Sequence, residues 1–160
     1  MARIVSISDT HGSYRDIEKM FNKYKADYYL HTGDGIREVE LIRKAGTFPP
    51  LIFVKGNCDG YGFTCKEPLE REFEVEGKKI YMTHGHMLYV KQGLWDLYEK
   101  AERNGYAAVF FGHTHHQHCE YRNGTWFLNP GSAGYSGPGG AHVAILDITP
   151  SGTFGYLHKL

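Results

Sequence analysis

Five short clusters of residues able to bind metal are spread along the chain: Asp9-Thr10-His11, Gly33-Asp34, Gly56-Asn57-Cys58-Asp59, His84-Gly85-His86 and Gly112-His113-Thr114-His115. Each follows an apolar stretch that reads as a strand, at 4–8, 28–32, 51–55, 80–83 and 109–111. A sheet whose strand ends release glycine together with Asp, Asn or His can bring those side chains to one rim. Asp, Asn and His, with no thiolate in the set, suit divalent metals that prefer nitrogen and oxygen donors. The pattern predicts a metal cluster, of two ions rather than one.

The elements that must position these clusters alternate in the first half of the chain. Ile17, Met20, Phe21 and Tyr24 share one helical face over 16–25, with Ser13 and Asp16 resembling a capping pair. Ile36, Val39, Ile42 and Ala45 repeat the period over 36–45, and Gly46 ends that helix. Residues 70–75 and 79–83 read as a hairpin about Gly77. Leu94, Leu97, Tyr98 and Ala101 mark a third helix closing near Gly105. From Glu120 the signal turns to strands, with a hairpin turn at Asn123-Gly124, a strand at 143–148, a turn at Pro150-Ser151-Gly152 and a last strand at 153–158. Parallel strands first and antiparallel strands last imply an α/β fold of two sheets packed face to face with helices outside.

In their order the motifs D-x-H, G-D, G-N-C-D, H-G and G-H-x-H resemble those of the calcineurin-like metallophosphoesterase superfamily, and within it the small single-domain phosphodiesterases. Asn129-Pro130-Gly131-Ser132 follows in the manner of that smaller group, so the likeness runs from Ile4 to about Ser132. The resemblance implies a four-layer αββα sandwich of two mixed sheets, one domain over 1–160. It also implies Asp34 as a carboxylate bridging two ions, with Asp9, His11 and His115 completing one site and Asn57, His84 and His113 the other. Asp59 is expected to orient a ligand from behind. Cys58 stands where many members carry a histidine that assists the leaving oxygen. The small group often has cysteine there.

The reaction explains the residue types. A phosphodiester is anionic and slow to hydrolyse, so catalysis needs a nucleophile and charge neutralisation together. Two cations roughly 3.5–4 Å apart supply both, lowering the pKa of a bound water from 15.7 to about 7. The expectation is therefore hydrolysis of a small phosphodiester by a hydroxide bridging two ions drawn from Mn, Ni, Fe, Co or Zn, with Mn favoured. Alternatives are phosphomonoester or dinucleoside polyphosphate hydrolysis and, from another class, a non-catalytic scaffold subunit of the same fold. A thiol near its reference pKa of about 8.5 is a poor acid for an alkoxide at neutral pH, which leaves the proton donor open between His86 and a metal-held water, with Cys58 equally readable as a small packed residue.

Composition narrows the partners. The chain has 160 residues, with 18 Lys+Arg against 18 Asp+Glu. That balance supplies no basic field for sequence-independent nucleic-acid binding. No apolar run approaches the roughly 18 residues of a membrane span, and no signal peptide precedes the first strand. Cys58, Cys65 and Cys119 form no C-x-x-C, which suits reduced thiols in the cytoplasm. The oligomeric state stays open, a homo-oligomer included. Several residues carry a second reading: Asp34 as a cap for the helix after it, and His86 as either a supporting residue or an exposed one. His116 and His118 read as a solvated strand start, His31 as packing or support, and His142 and His158 as structural. The glycine-rich 131–140 reads first as a loop, with contact to substrate as its second reading.

Overall fold

Strand β1 (Ala2–Ile7) carries Ile4 to one face and Val5 to the other, and both are fully buried, so the sheet it belongs to is covered on both sides. The computed structural model describes residues 1–60 and 65–160. After β1 come α1 (Tyr14–Lys23), β2 (Tyr28–His31), α2 (Ile36–Ala45) and β3 (Leu51–Phe53). The hairpin β4 (Glu70–Val75) and β5 (Lys78–Thr83) follows, then α3 (Trp95–Asn104) and β6 (Ala108–Phe110). Two further hairpins close the chain: β7 (Gln117–Arg122) with β8 (Thr125–Pro130), and β9 (His142–Thr149) with β10 (Gly152–Lys159).

The strands form two five-stranded sheets, β10-β9-β1-β2-β3 and β4-β5-β6-β8-β7. Between them Ile4, Leu30, Ala144 and Leu146 meet Ile80, Met82, Phe110 and Leu128 in one buried cluster. On the outer face of the first sheet Ile17 and Met20 of α1 and Val39 and Ile42 of α2 pack on Val5, Ile7 and Ile145. On the outer face of the second, Leu97 and Ala101 of α3 pack on Tyr81, Val109 and Phe127. Four layers result, as the sequence implied.

The direction of the strands corrects one expectation. Parallel and antiparallel pairs are not divided between early and late parts of the chain. β1 pairs with β2 in parallel but with β9 antiparallel, and β8 runs parallel to β6 while pairing antiparallel with β7. The last hairpin joins the sheet of the first strand because its apolar face completes the same inter-sheet core. Both hairpin turns foreseen take left-handed backbone at two successive residues, Glu76-Gly77 and Asn123-Gly124, the geometry that matches strand twist. Ser13 differs from its expected role: its hydroxyl donates to the Asp16 carboxylate and makes no cap to the helix backbone.

Candidate metal centre

Five side chains that could hold a metal leave their strands through strained backbone. Asp9 (φ 50°), His11 (42°), Asp34 (58°), His113 (66°) and His115 (60°) lie in the left-handed region, joined among non-glycine described residues only by Glu76, Tyr89 and Asn123. Such conformations cost of order 1–3 kcal/mol each and persist where surrounding contacts over-determine them. Here those contacts are visible. Asp9 N donates to the Gly33 carbonyl at 3.0 Å and His11 N to the Asp34 carbonyl at 3.2 Å, tying the first two clusters together.

Asp59 ties in the third. Its carboxylate accepts from the backbone N–H groups of Asp34 (2.8 Å), Gly35 (2.9 Å), Ile36 (2.9 Å) and Gly56 (2.7 Å). It satisfies the first turn of α2, whose N-cap residue Gly35 has no side chain to do so. Asp34 is therefore no helix cap, and Asp59 fixes the backbone of Asp34. Asp59→Ala leaves four inward-facing donors without an acceptor, and we expect it to cost about 3–4 kcal/mol. Thermal melts should show a fall in Tm of about 8–12 °C; a shift under about 3 °C would contradict this role.

Both central carboxylates have one oxygen held by the protein and one turned inward. Asp9 is fully buried: Oδ2 accepts from the Ser8 hydroxyl and from His113 N at 3.1 Å, while Oδ1 has no hydrogen-bond partner. Oδ1 faces His115 Nε2 at 3.1 Å and His11 Nε2 at 3.7 Å. Asp34 Oδ1 accepts from Cys58 N at 2.7 Å, and Oδ2 faces His84 Nε2 at 3.3 Å and His11 Nε2 at 3.8 Å. A Cβ on Gly56 would collide with the Asp34 carboxylate, so glycine is what lets that chain pass.

His84, buried at the end of β5, donates from Nδ1 to the Thr32 carbonyl at 2.7 Å. That leaves Nε2 facing Asn57 Oδ1 at 3.0 Å and Asp9 Oδ1 at 3.9 Å. The two other imidazoles confront each other, His11 Nε2 and His115 Nε2 being 3.3 Å apart. Three sets of ligand atoms lie within 4.8 Å of one another: Asp9, His11 and His115; Asp9, Asp34 and His84; and His11, Asp34 and Cys58. His113 joins none of these sets; its ring stands 5.0 Å from that of His84.

Electrostatics fit this donor set to a cation. Burial alone would raise both carboxyls, but the imidazoles of His11 and His115 against Asp9 hold it well below the usual range, and His84 lowers Asp34 in the same way. Two buried carboxylates side by side, one with an oxygen that has no hydrogen-bond partner, are costly without a positive partner. Burial, with His84 beside it, pushes His113 down to about 4, which leaves its ring neutral and able to donate a lone pair at pH 7. Burial and the Asp34 charge push the Cys58 thiol up to about 11.

The remaining candidates sit outside this knot. His86, in a short 3-10 turn His86–Leu88, has its ring 5.4 Å from His84 and a buried Nδ1 without a partner. His116 is exposed, His118 pairs with Glu120 at 3.1 Å, and His158 meets the Tyr24 hydroxyl at 2.6 Å. His142 meets the Gln117 side chain at 2.7 Å. His31 is fully buried behind the site: its Nδ1 accepts from Gly33 N at 3.2 Å, so Nε2 donates to the Thr10 hydroxyl at 3.0 Å, which donates to Glu38 at 2.9 Å. Glu38 also accepts from Gly12 N. Sequence reasoning missed Glu38 and Ser8. Glu38 lies beside the apolar stripe of α2, and nothing in the periodicity marks it as buried.

The decisive comparison is with known families. The calcineurin-like phosphoesterase superfamily domain matches residues 2–151. The chain belongs to this superfamily. It is 34% identical over 131 residues to the probable metallophosphoesterase YsnB of Bacillus subtilis, covering 81% of this chain and 73% of that one. In fold it is similar to a novel archaeal phosphodiesterase, with a TM-score of 0.74, 22% identity and coverage of 98% and 99%. Vacuolar protein sorting 29 from Cryptosporidium parvum aligns with a TM-score of 0.70, 19% identity and coverage of 99% and 97%. Calcineurin-like phosphoesterases depend on divalent metal, and the knot around Asp9 and Asp34 brings together three groups of side chains that could hold a metal ion. Among the described residues, no helix is long and apolar enough to cross a membrane.

Proposed function

We propose that this chain is a phosphodiesterase whose Asp9, His11, Asp34, Asn57, His84, His113 and His115 hold two divalent ions, with Asp34 between them. The observation that carries the reading is the pair of buried carboxylates, each with one oxygen fixed by the protein and the other turned into a knot of imidazole nitrogens. When bound, the ions supply a hydroxide nucleophile at neutral pH and neutralise the phosphoryl oxygens. Manganese suits the mixture of carboxylate and imidazole donors better than magnesium, which favours carboxylate and water. Free Cys58, Cys65 and Cys119 favour a reducing compartment, the cytoplasm.

The protein's own proton donors are ill matched to neutral pH. The Cys58 thiol holds its proton too tightly, and burial pushes His86 down, so its ring is largely unprotonated. General acids work best with pKa near the working pH. The esters cleaved best are accordingly those whose departing oxygen needs no proton. A scaffold reading draws on the fold likeness to vacuolar protein sorting 29 alone. A chain that only assembled would have no use for five strained residues converging on one point.

The test is a screen of manganese-loaded protein against bis-p-nitrophenyl phosphate, p-nitrophenyl phosphate and a dinucleoside polyphosphate. We expect the diester to give the largest kcat/KM. Faster turnover of the monoester would move the chain to the monoesterases, and no turnover of any would sink the enzymatic reading.

A further inference from the structure

Tyr135 is a large aromatic residue left 65% exposed beside the site. Its ring lies 4.8 Å from that of His11 and, nearly parallel at 25°, 5.8 Å from that of His115. It leans on the metal-facing imidazoles with much of its surface still open. The ring also lines a cleft of about 320 Å³ together with His11, Asp34, Cys58, Ile36 and Arg37. A volume of this order accommodates a small ligand.

The backbone that carries the ring is held in place. Ser132 Oγ donates to the Asp9 carbonyl at 2.8 Å and accepts from Tyr135 N at 3.0 Å, and Gly134 N donates to the same carbonyl at 3.0 Å. A Cβ on Gly134 would run into the Thr10 carbonyl, so the glycine-rich loop lies directly on the loop that presents Asp9 and His11. Tyr135 is thereby anchored through the backbone of a candidate ligand, and its side chain is left to face the cleft.

From this geometry we infer that Tyr135 is a stacking platform for a planar aromatic group on the phosphoester, an aryl or nucleobase substituent whose phosphorus sits at the metal knot. The inference deepens the phosphoesterase reading and rests on it for the position of the phosphoryl group. Aromatic rings prefer offset or tilted contact at centroid separations of about 4.5–7 Å, and the open face of Tyr135 offers that to a ring entering along Ile36. The specificity that follows concerns the alcohol portion of the ester, with no demand on which base or aryl group it is.

Titration of manganese-loaded protein with benzylphosphonate and methylphosphonate, whose P–C bonds are not hydrolysed, tests the platform by calorimetry. Wild type should bind benzylphosphonate on the order of 10-fold tighter, the size of an aromatic pair's contribution. Tyr135→Ala should cut that ratio by about 5-fold, and Tyr135→Phe should keep it. An unchanged ratio in Tyr135→Ala would overturn the inference. So would an equal loss of affinity for both phosphonates, since that would make the ring a support for His11 and His115. A wild-type protein that shows the binding ratio yet hydrolyses no phosphoester would sink the hydrolase reading and leave the platform standing.

Discussion

Asp34→Ala should leave a folded protein with no measurable phosphodiesterase activity and with bound metal well below the wild-type content. The side chain does two jobs, and alanine removes both. Oδ1 takes the Cys58 N–H at 2.7 Å, while Oδ2 points at His84 and His11. Loss of Oδ2 withdraws one unit of negative charge from the place where cations would gather. Changes to residues that merely support a metal ligand typically cost about 10–100-fold; losing the shared carboxylate should exceed that, on the order of 10³-fold or more. The fold should survive because Asp59, not Asp34, holds the first turn of α2. His116→Ala, at an exposed position, serves as the control and should keep both activity and metal. Elemental analysis, circular dichroism and diester turnover decide the matter together. Wild-type metal content in Asp34→Ala would contradict the shared position, as would full activity of wild-type protein held in excess chelator after verified stripping.

The fold was legible in the sequence wherever a signal is local. Ile36, Val39 and Ile42 with Gly46 define α2 to the residue, because helical period and a left-handed C-cap are both short-range properties. The turns at Glu76-Gly77 and Asn123-Gly124 were equally readable. Sheet membership was not. β9 carries alternating and continuous apolar stretches that fit either sheet, and its place beside β1 is decided by Ala144, Leu146 and Ile148 filling the gap between the sheets. That is a long-range packing outcome with no local mark.

At the candidate site the clusters themselves were visible, since strand ends and residue types are local. Their backbone was not. Aspartate and histidine enter left-handed φ more often than most non-glycine residues but still in a small minority of cases, so the type alone does not announce that Asp9, His11, Asp34, His113 and His115 all adopt it. The supporting groups show why reading stops there. Asp59 sits inside a motif and was expected to orient a ligand, but its acceptance of four backbone N–H groups follows only from the meeting of two distant loops. Glu38 gave no signal, because a buried acid on a helix looks like any solvated one until Thr10 and Gly12 are brought against it. Tyr135 lies in a stretch read first as a loop and second as a substrate contact, and it acquires its own meaning from the two imidazoles beside it.

Cys58→His should change which esters the protein cleaves more than how fast it cleaves the easiest ones. Cys58 is exposed and lines the same cleft as Tyr135, its sulfur within 4.8 Å of ligand atoms of both His11 and Asp34. On the proposed reading, a group attached to its Cβ would lie beside a phosphoryl group held at this knot. The thiol there keeps its proton, pushed up to about 11, so departing oxygens receive little help. Nitrophenolate leaves without it; an alkoxide does not. An imidazole with a pKa near 6.5 is matched to neutral pH, and a well-placed general acid typically contributes about 10²–10⁴-fold. The variant should gain within that range on alkyl diesters, gain little on nitrophenyl diesters, and so flatten the dependence of rate on leaving-group pKa. A ring that turned inward to join His11 and Asp34 as a further ligand would reveal itself as raised metal content without the flattening. Rates across a leaving-group series in both proteins, with metal measured in each, make the comparison. Parallel dependences at equal metal content would show that proton donation is not what cysteine at this position withholds.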